Sequence, residues 1–305
     1  MTEHRKQATL FVLLGPTGIG KTELAIQIAQ LLGCPVINCD SRQIYRHVDI
    51  GTAAPTQEQC AIAQHHFVRM LELDEPYSAA QYEQDAISLI SCLSSSHPNL
   101  LLTGGSMMYL DAVCNGIDDI PSIAPEVRTE LKARYDTEGL DSLRAELRLI
   151  DPEYYAAADL RNPKRIIHAL EVYYTSGCRY SSFRTRTSKE RDFKIVKVGL
   201  CMERTEHFAR INARVDDMVS KGLVDEARSL TEYRHLNSMN TVGYKEIYQY
   251  LDGNWTLDFA KDKIKKNTRD YAKKQMTWFK HDANIHWFHP NNAIDVKNYI
   301  ARNAQ

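Results

Sequence analysis

Residues 15–22 read GPTGIGKT and fit the pattern G-x-x-x-x-G-K-[ST], whose chemistry is the binding of phosphate. Its glycines let successive backbone N–H groups converge on phosphate oxygens, and the N-terminus of the helix that follows adds partial positive charge. Lys21 is placed to bridge terminal phosphates and the Thr22 hydroxyl to ligate Mg²⁺. Gly15, Pro16, Thr17, Gly18, Ile19, Gly20, Lys21 and Thr22 are therefore the candidate residues for binding a diphosphate or triphosphate, with Thr22 also the candidate metal ligand. A carboxylate follows in the run Asn38-Cys39-Asp40-Ser41-Arg42-Gln43. In a doubly wound sheet the carboxyl ends of neighbouring strands open on one crevice, which sets Asp40 beside the loop. There it holds Mg²⁺ through water, accepts a proton from an incoming nucleophile, or simply caps the segment that follows. Two reaction classes fit. In a kinase Asp40 activates a hydroxyl toward a γ-phosphate; in a transferase it assists a nucleophile while diphosphate leaves carbon.

The elements that position these groups are legible as hydrophobic runs. Residues 8–14 (ATLFVLL) form a continuous apolar stretch ending in glycine, as expected of a central parallel strand covered on both faces. Leu24, Ala25, Ile28, Leu31 and Leu32 then recur with a helical period that Gly33 closes, so strand, glycine-rich loop and helix follow in order. Residues 36–39, 100–102, 195–200 and 285–288 are further strand candidates separated mostly by helical segments, which predicts an α/β fold: a P-loop NTPase-like parallel sheet flanked by helices. From Pro121 to about Arg191 the pattern turns helical and heavily charged. This predicts an inserted all-helical subdomain over 121–191, with the core formed by 1–120 and 192–305. Within it Asn162 is a helix cap, Pro163 suits the first turn, and Gly177 ends the apolar period. Residues 183–192 (FRTRTSKERD) read as a mobile basic loop returning to the sheet.

The chain has 305 residues, with 38 Lys and Arg against 39 Asp and Glu, a formal charge of −1. Any polyanionic partner must then be gripped by a local basic patch. The longest apolar runs fall far short of the roughly 20 residues that span a bilayer, and residues 1–7 are polar without a signal segment, so the expectation is a cytoplasmic protein that uses no membrane. Seven cysteines, odd in number and without a C-x-x-C pair, read as free thiols rather than a disulfide framework or zinc site.

The blocks GPTGIGKT (15–22), CDSRQIYRHVDIGTAAP (39–55), GGSMMYLDAV (104–113), NPKRIIHALEVYYTSG (162–177), INARVDDMVSKGL (211–223), TVGYKE (241–246) and NTRDYAKKQMTWFK (267–280) resemble, in order and over nearly the whole chain, the tRNA dimethylallyltransferase (tRNA isopentenyltransferase) family of bacterial type. The resemblance implies transfer of the dimethylallyl group of dimethylallyl diphosphate to the exocyclic amine of the adenosine 3′ to the anticodon, in tRNAs reading codons that begin with U. It implies Mg²⁺ as cofactor. It also implies that the loop holds a prenyl diphosphate instead of ATP. Asp40 would be the general base, Lys21 and Thr22 the diphosphate contacts, and Arg214 the cation that neutralises the leaving group. The pattern around Arg214 agrees: Phe208, Ile211, Val215, Met218 and Val219 form one stripe on a helix over about 204–221, and Arg214 lies 60° from Ile211 at 100° per residue.

The same resemblance implies tRNA contacts at Asp40, Ser41, Arg42 and Gln43, and at Ser106, which stands where the family usually has threonine. It implies others at Arg128, at Lys164, Arg165, Ile166, Ile167 and His168, at Asn240, Thr241, Val242, Gly243, Tyr244 and Lys245, and at Lys273, Lys274, Gln275 and Lys280. Ser106 and Arg128 would line the passage where allyl donor and adenine meet. Between 261 and 280, Lys261, Lys263, Lys265, Lys266, Arg269, Lys273, Lys274 and Lys280 face only Asp262 and Asp270, a basic run that suits a phosphate backbone. As a solvated helix face it would need no partner. Action on one stem-loop requires no second copy, so a monomer is expected. Two alternatives remain in view: a small-molecule or nucleotide kinase with the insertion and its Arg184 and Arg186 as a lid, and an adenylate isopentenyltransferase acting on a free nucleotide.

Overall fold

In a computed structural model that describes residues 7–185 and 187–304, two compact units are resolved, one formed by the chain up to Cys114 together with Glu190 onward, the other by Asn115–Lys189. Residues 1–6, Arg186 and Gln305 lie outside the described residues.

The first unit is built on a six-stranded sheet of β1 (Thr9–Leu14), β2 (Val36–Cys39), β3 (His65–His66), β4 (Asn99–Gly104), β5 (Lys194–Leu200) and β6 (Ile285–Phe288), in the order β3-β2-β4-β1-β5-β6. Every pairing is parallel. All six residues of β1 and of β4 are buried, which is why these strands read as unbroken apolar runs. The helix Lys21–Leu32, here the loop helix, follows β1 and turns Leu24, Ala25, Ile28 and Ala29 inward, ending at Gly33 in the left-handed conformation. β3 has two residues and carries no periodic signal, so the sequence does not mark it.

One positional expectation is corrected. β2 does not adjoin β1, since β4 lies between them, yet Asp40 and the loop still line one cleft. Gly104 makes this arrangement close-packed, since a Cβ there would sit 2.0 Å from the Cys39 carbonyl oxygen. The Asp40 segment therefore leans over the end of β4 where a side chain would otherwise stand.

The Asn115–Lys189 unit is all-helical, with helices Pro125–Ile150, Pro152–Ala157, Pro163–Ser176 and Tyr180–Phe183. It has its own core of Leu131, Leu143, Leu147, Tyr154, Ile166, Ala169 and Leu170. The Asn162 side chain caps Lys164 N–H, Pro163 opens the helix, and Gly177 closes it at φ 72°. Near the end of the 183–192 stretch, Arg191 pairs with Glu83 at 2.7 Å and donates to the Val113 and Ala112 carbonyls. No helix among the described residues is long and apolar enough to cross a membrane.

Candidate active site

The carboxyl ends of β1, β2 and β4 open on a cleft of about 830 Å³, within the range of pockets that hold small ligands. Its walls include Thr17, Gly18, Gly20, Lys21 and Thr22 from the loop, Asp40 from the end of β2, and Gly104 and Gly105 from the end of β4. The helix Arg204–Ser220, here the arginine helix, contributes Arg210, Ala213, Arg214, Asp217 and Met218. Tyr271 and Gln275 come from the helix Leu257–Phe279, here the basic helix.

The loop is tied together by its own lysine. Lys21 Nζ donates to the Gly15 and Pro16 carbonyls at 2.8 and 3.0 Å. Burial pushes its ammonium down to about 8, against the attraction of Asp40 and with the repulsion of Arg214. Three groups of the expected chemistry thus feel one another across the cleft. Desolvation also lowers Arg214, again opposed by Asp40; a half-buried guanidinium with this surrounding is short of negative charge and suited to receive it. Gly20 sits at φ 101° with Arg210 Nη2 only 2.9 Å from where its Cβ would be, so a second arginine closes over the loop one turn before Arg214. Arg210 escaped the sequence reading; its spacing of four from Arg214 was the available signal.

Asp40 divides its two oxygens between tasks. Oδ1 accepts from Arg42 N–H at 2.9 Å and more weakly from Gln43 N–H at 3.4 Å, the capping role considered above. Oδ2 has no hydrogen-bond partner among the described residues, leaving an acceptor of fixed orientation in the wall of the cleft. Burial, then Asp40, pushes the Tyr271 phenol up to about 12.

Other expected site residues serve as joints. Ser106 is buried and its hydroxyl bonds Ser41 N–H and Ser41 Oγ at 2.8 and 3.0 Å, tying β4 to the Asp40 segment. Arg42 donates to the Asn237 and Ser238 carbonyls, joining that segment to the turn before Asn240, and Gln43 Nε2 holds the Thr52 and Ala53 carbonyls. Tyr244 is fully buried, its hydroxyl donating to Glu226, and Ile166 is fully buried in the core of the helical unit; neither side chain lies on an open face. Gln275 is buried too, bonded to Thr17 N–H and the Gly105 carbonyl. His207, unmarked by the sequence, is buried with Nε2 2.9 Å from the Thr17 carbonyl. Lys164, Arg165, Asn240, Lys245, Lys273, Lys274 and Lys280 are exposed, Thr241, Val242, Ile167 and His168 half-buried, and Gly243 buried. Arg128 pairs with Glu171 at 3.4 Å.

The donors near the loop are the Thr22 hydroxyl and the Asp40 carboxylate, oxygen groups of the kind Mg²⁺ prefers. Among the described residues no three His, Cys, Asp or Glu side chains gather as a metal cage. That fits an ion held by one or two protein oxygens together with substrate phosphates and water.

Residues 43–282 match the family model described as IPP transferase. The chain is 56% identical over 292 residues to tRNA dimethylallyltransferase 1 of Phocaeicola vulgatus, covering 96% of this chain and 97% of that one, and likewise 56% identical to the tRNA dimethylallyltransferase 1 of Bacteroides fragilis over the same shares. Its fold superposes on the crystal structure of the tRNA isopentenylpyrophosphate transferase from Bacillus halodurans with a TM-score of 0.71 and 36% identity, over 97% of this chain and 96% of that chain. With the phosphate loop, the adjoining carboxylate and the matched length all in agreement, the chain belongs to the IPP transferase family.

Proposed function

We propose that the protein transfers a dimethylallyl group from dimethylallyl diphosphate to N6 of the adenosine 3′-adjacent to the anticodon, in tRNAs reading codons beginning with U. The observation that carries this reading is the single cleft holding both the phosphate loop and an oriented Asp40 with one oxygen unpartnered. Relatives named tRNA dimethylallyltransferase at 56% identity support it.

The adenine N6 lone pair is delocalised into the ring, so the nucleophile must be oriented and relieved of its proton. N6 forms a bond to C1 of the dimethylallyl group while the C1–O bond breaks, its electron pair leaving with diphosphate. The N6 proton passes to Asp40 Oδ2. Lys21, Arg214 and Arg210 face the charge that grows on diphosphate. Thr22, and Asp40 through water, would hold Mg²⁺, which would supply further charge neutralisation at the leaving group.

The target base must leave its stack at a cost of a few kcal/mol, which contacts along the anticodon arm offset. The exposed Lys273, Lys274 and Lys280 of the basic segment, and Lys164 and Arg165 of the helical unit, are the cations assigned to that arm. Such an enzyme acts as a monomer in the cytoplasm, where its tRNA is found.

Incubation with Mg²⁺, labelled dimethylallyl diphosphate, ATP and either unmodified tRNA or AMP tests the reading. Label is expected in tRNA. Label in AMP points to an adenylate isopentenyltransferase; ATP consumption without label in either acceptor points to a kinase.

A further inference from the structure

Lys273, Lys274 and Gln275 are consecutive on the basic helix, yet successive helical residues point 100° apart, and only the two lysines are exposed. Gln275 is 1% exposed. Both ends of its amide are engaged: Oε1 accepts from Thr17 N–H at 2.8 Å and Nε2 donates to the Gly105 carbonyl at 2.7 Å. A Cβ on Gly105 would lie 2.6 Å from Nε2 and 3.6 Å from Lys21 Nζ, so the amide fills the corner between the loop, the end of β4 and the ammonium. On the other side of Thr17, the carbonyl meets His207 Nε2 at 2.9 Å. The second residue after Gly15 is thus gripped at both its backbone groups by side chains from two helices that lie more than 180 positions away in the chain.

A phosphate loop binds its anion through the directions of its N–H groups, and a mobile loop must be ordered at the moment of binding. We propose that Gln275 is a positioning residue for the bound diphosphate, bracing the phosphate loop from the inner face of the basic helix, and not a tRNA contact. The basic helix then has two faces with separate duties: its lysines meet RNA, and its buried amide holds the loop and the end of β4 at a fixed separation. This deepens the reading above and rests only on its loop being a diphosphate site. His207 completes the brace from the arginine helix.

The test is the affinity of the full-length chain and of Gln275→Met for two probes in Mg²⁺ buffer. One is inorganic diphosphate, measured by calorimetry; the other is an anticodon stem-loop RNA, measured by fluorescence anisotropy. Methionine keeps the volume and removes both hydrogen bonds. The diphosphate Kd is expected to rise about tenfold or more, the scale of a buried polar group left unpaired, while the RNA Kd stays within about twofold. With the allyl substrate, KM rises by the same factor as kcat stays nearly level. An unchanged diphosphate Kd overturns the proposal, as does an RNA Kd that rises in step with it. Should the variant not fold, amide hydrogen exchange in the unaltered chain decides: Thr17 N–H protected without any anion supports the brace, and exchange at a free-loop rate overturns it. Inorganic diphosphate carries no prenyl group, so a chain that binds it but labels no tRNA refutes the prenyl-transfer reading while leaving this ratio measurable.

Discussion

Asp40 accepts from Arg42 and Gln43 N–H with one oxygen and presents the other to the cleft, so its two roles are separable by substitution. Asp40→Asn, which keeps an oxygen to accept from Arg42 and Gln43 N–H, is expected to lower single-turnover transfer by at least about a hundredfold while tRNA affinity stays nearly intact, because only the proton acceptor is lost. Normal turnover in that variant would remove Asp40 as the base. Lys21 sets a pH dependence of definite sign. Its ammonium, held down to about 8 by burial, loses its proton as pH rises through that value. Diphosphate prefers the protonated form, so affinity is expected to be full below this pH and to fall by about tenfold per unit above it until the anion's own stabilisation of the ammonium takes over. A flat titration between pH 7 and 9.5 would contradict the role of Lys21. Residue chemistry of this kind was legible where a motif carried it: the loop, Asp40 and Arg214. His207 and Gln275 were not, because their function lies in hydrogen bonds to a backbone that folding alone brings near, and Gln275 sits inside a run of lysines that reads as surface.

Among the elements, β1, β2 and β4 announce themselves because burial on both faces leaves few polar residues in them, and the loop helix and the Asn162-capped helix because period and caps agree. The order of strands did not, since it depends on pairings between residues about 90 positions apart, such as Leu13 with Thr103. That order matters for the site: β4 intervenes between β1 and β2, and Gly104 makes room for the Asp40 segment. Gly104→Ala introduces a Cβ 2.0 Å from the Cys39 carbonyl oxygen. The substitution is expected to displace Asp40 and to cost about 1–3 kcal/mol of stability, as overpacking does. Thermal unfolding and transfer rate measured on the same preparation check it; a variant equal to the unaltered chain in both would show that the close approach is unimportant.

At the scale of the molecule, a net charge of −1 conceals a redistribution that folding alters. Lys261 and Lys265 are paired with Asp216, and Lys266 and Lys273 with Asp270, so the basic helix is less positive than its sequence suggests. Lys274 and Lys280 have no ion pair among the described residues. Lys274→Ala is therefore expected to weaken tRNA binding several-fold and to flatten the slope of log affinity against log salt by about one unit, without changing diphosphate affinity. The helical unit begins and ends at one place, with Lys189 N–H bonded to the Asn115 carbonyl at 2.7 Å, and has a core of its own. The whole account turns on what the loop holds and what attacks it. Diphosphate release from dimethylallyl diphosphate should be measured with an anticodon stem-loop carrying adenosine 3′ to the anticodon and with one carrying purine riboside there, ATP being present in both. The account predicts one diphosphate released per adenosine-containing stem-loop, none with purine riboside, and ATP untouched. Equal release with the two RNAs, or consumption of ATP in place of the allyl donor, would contradict it.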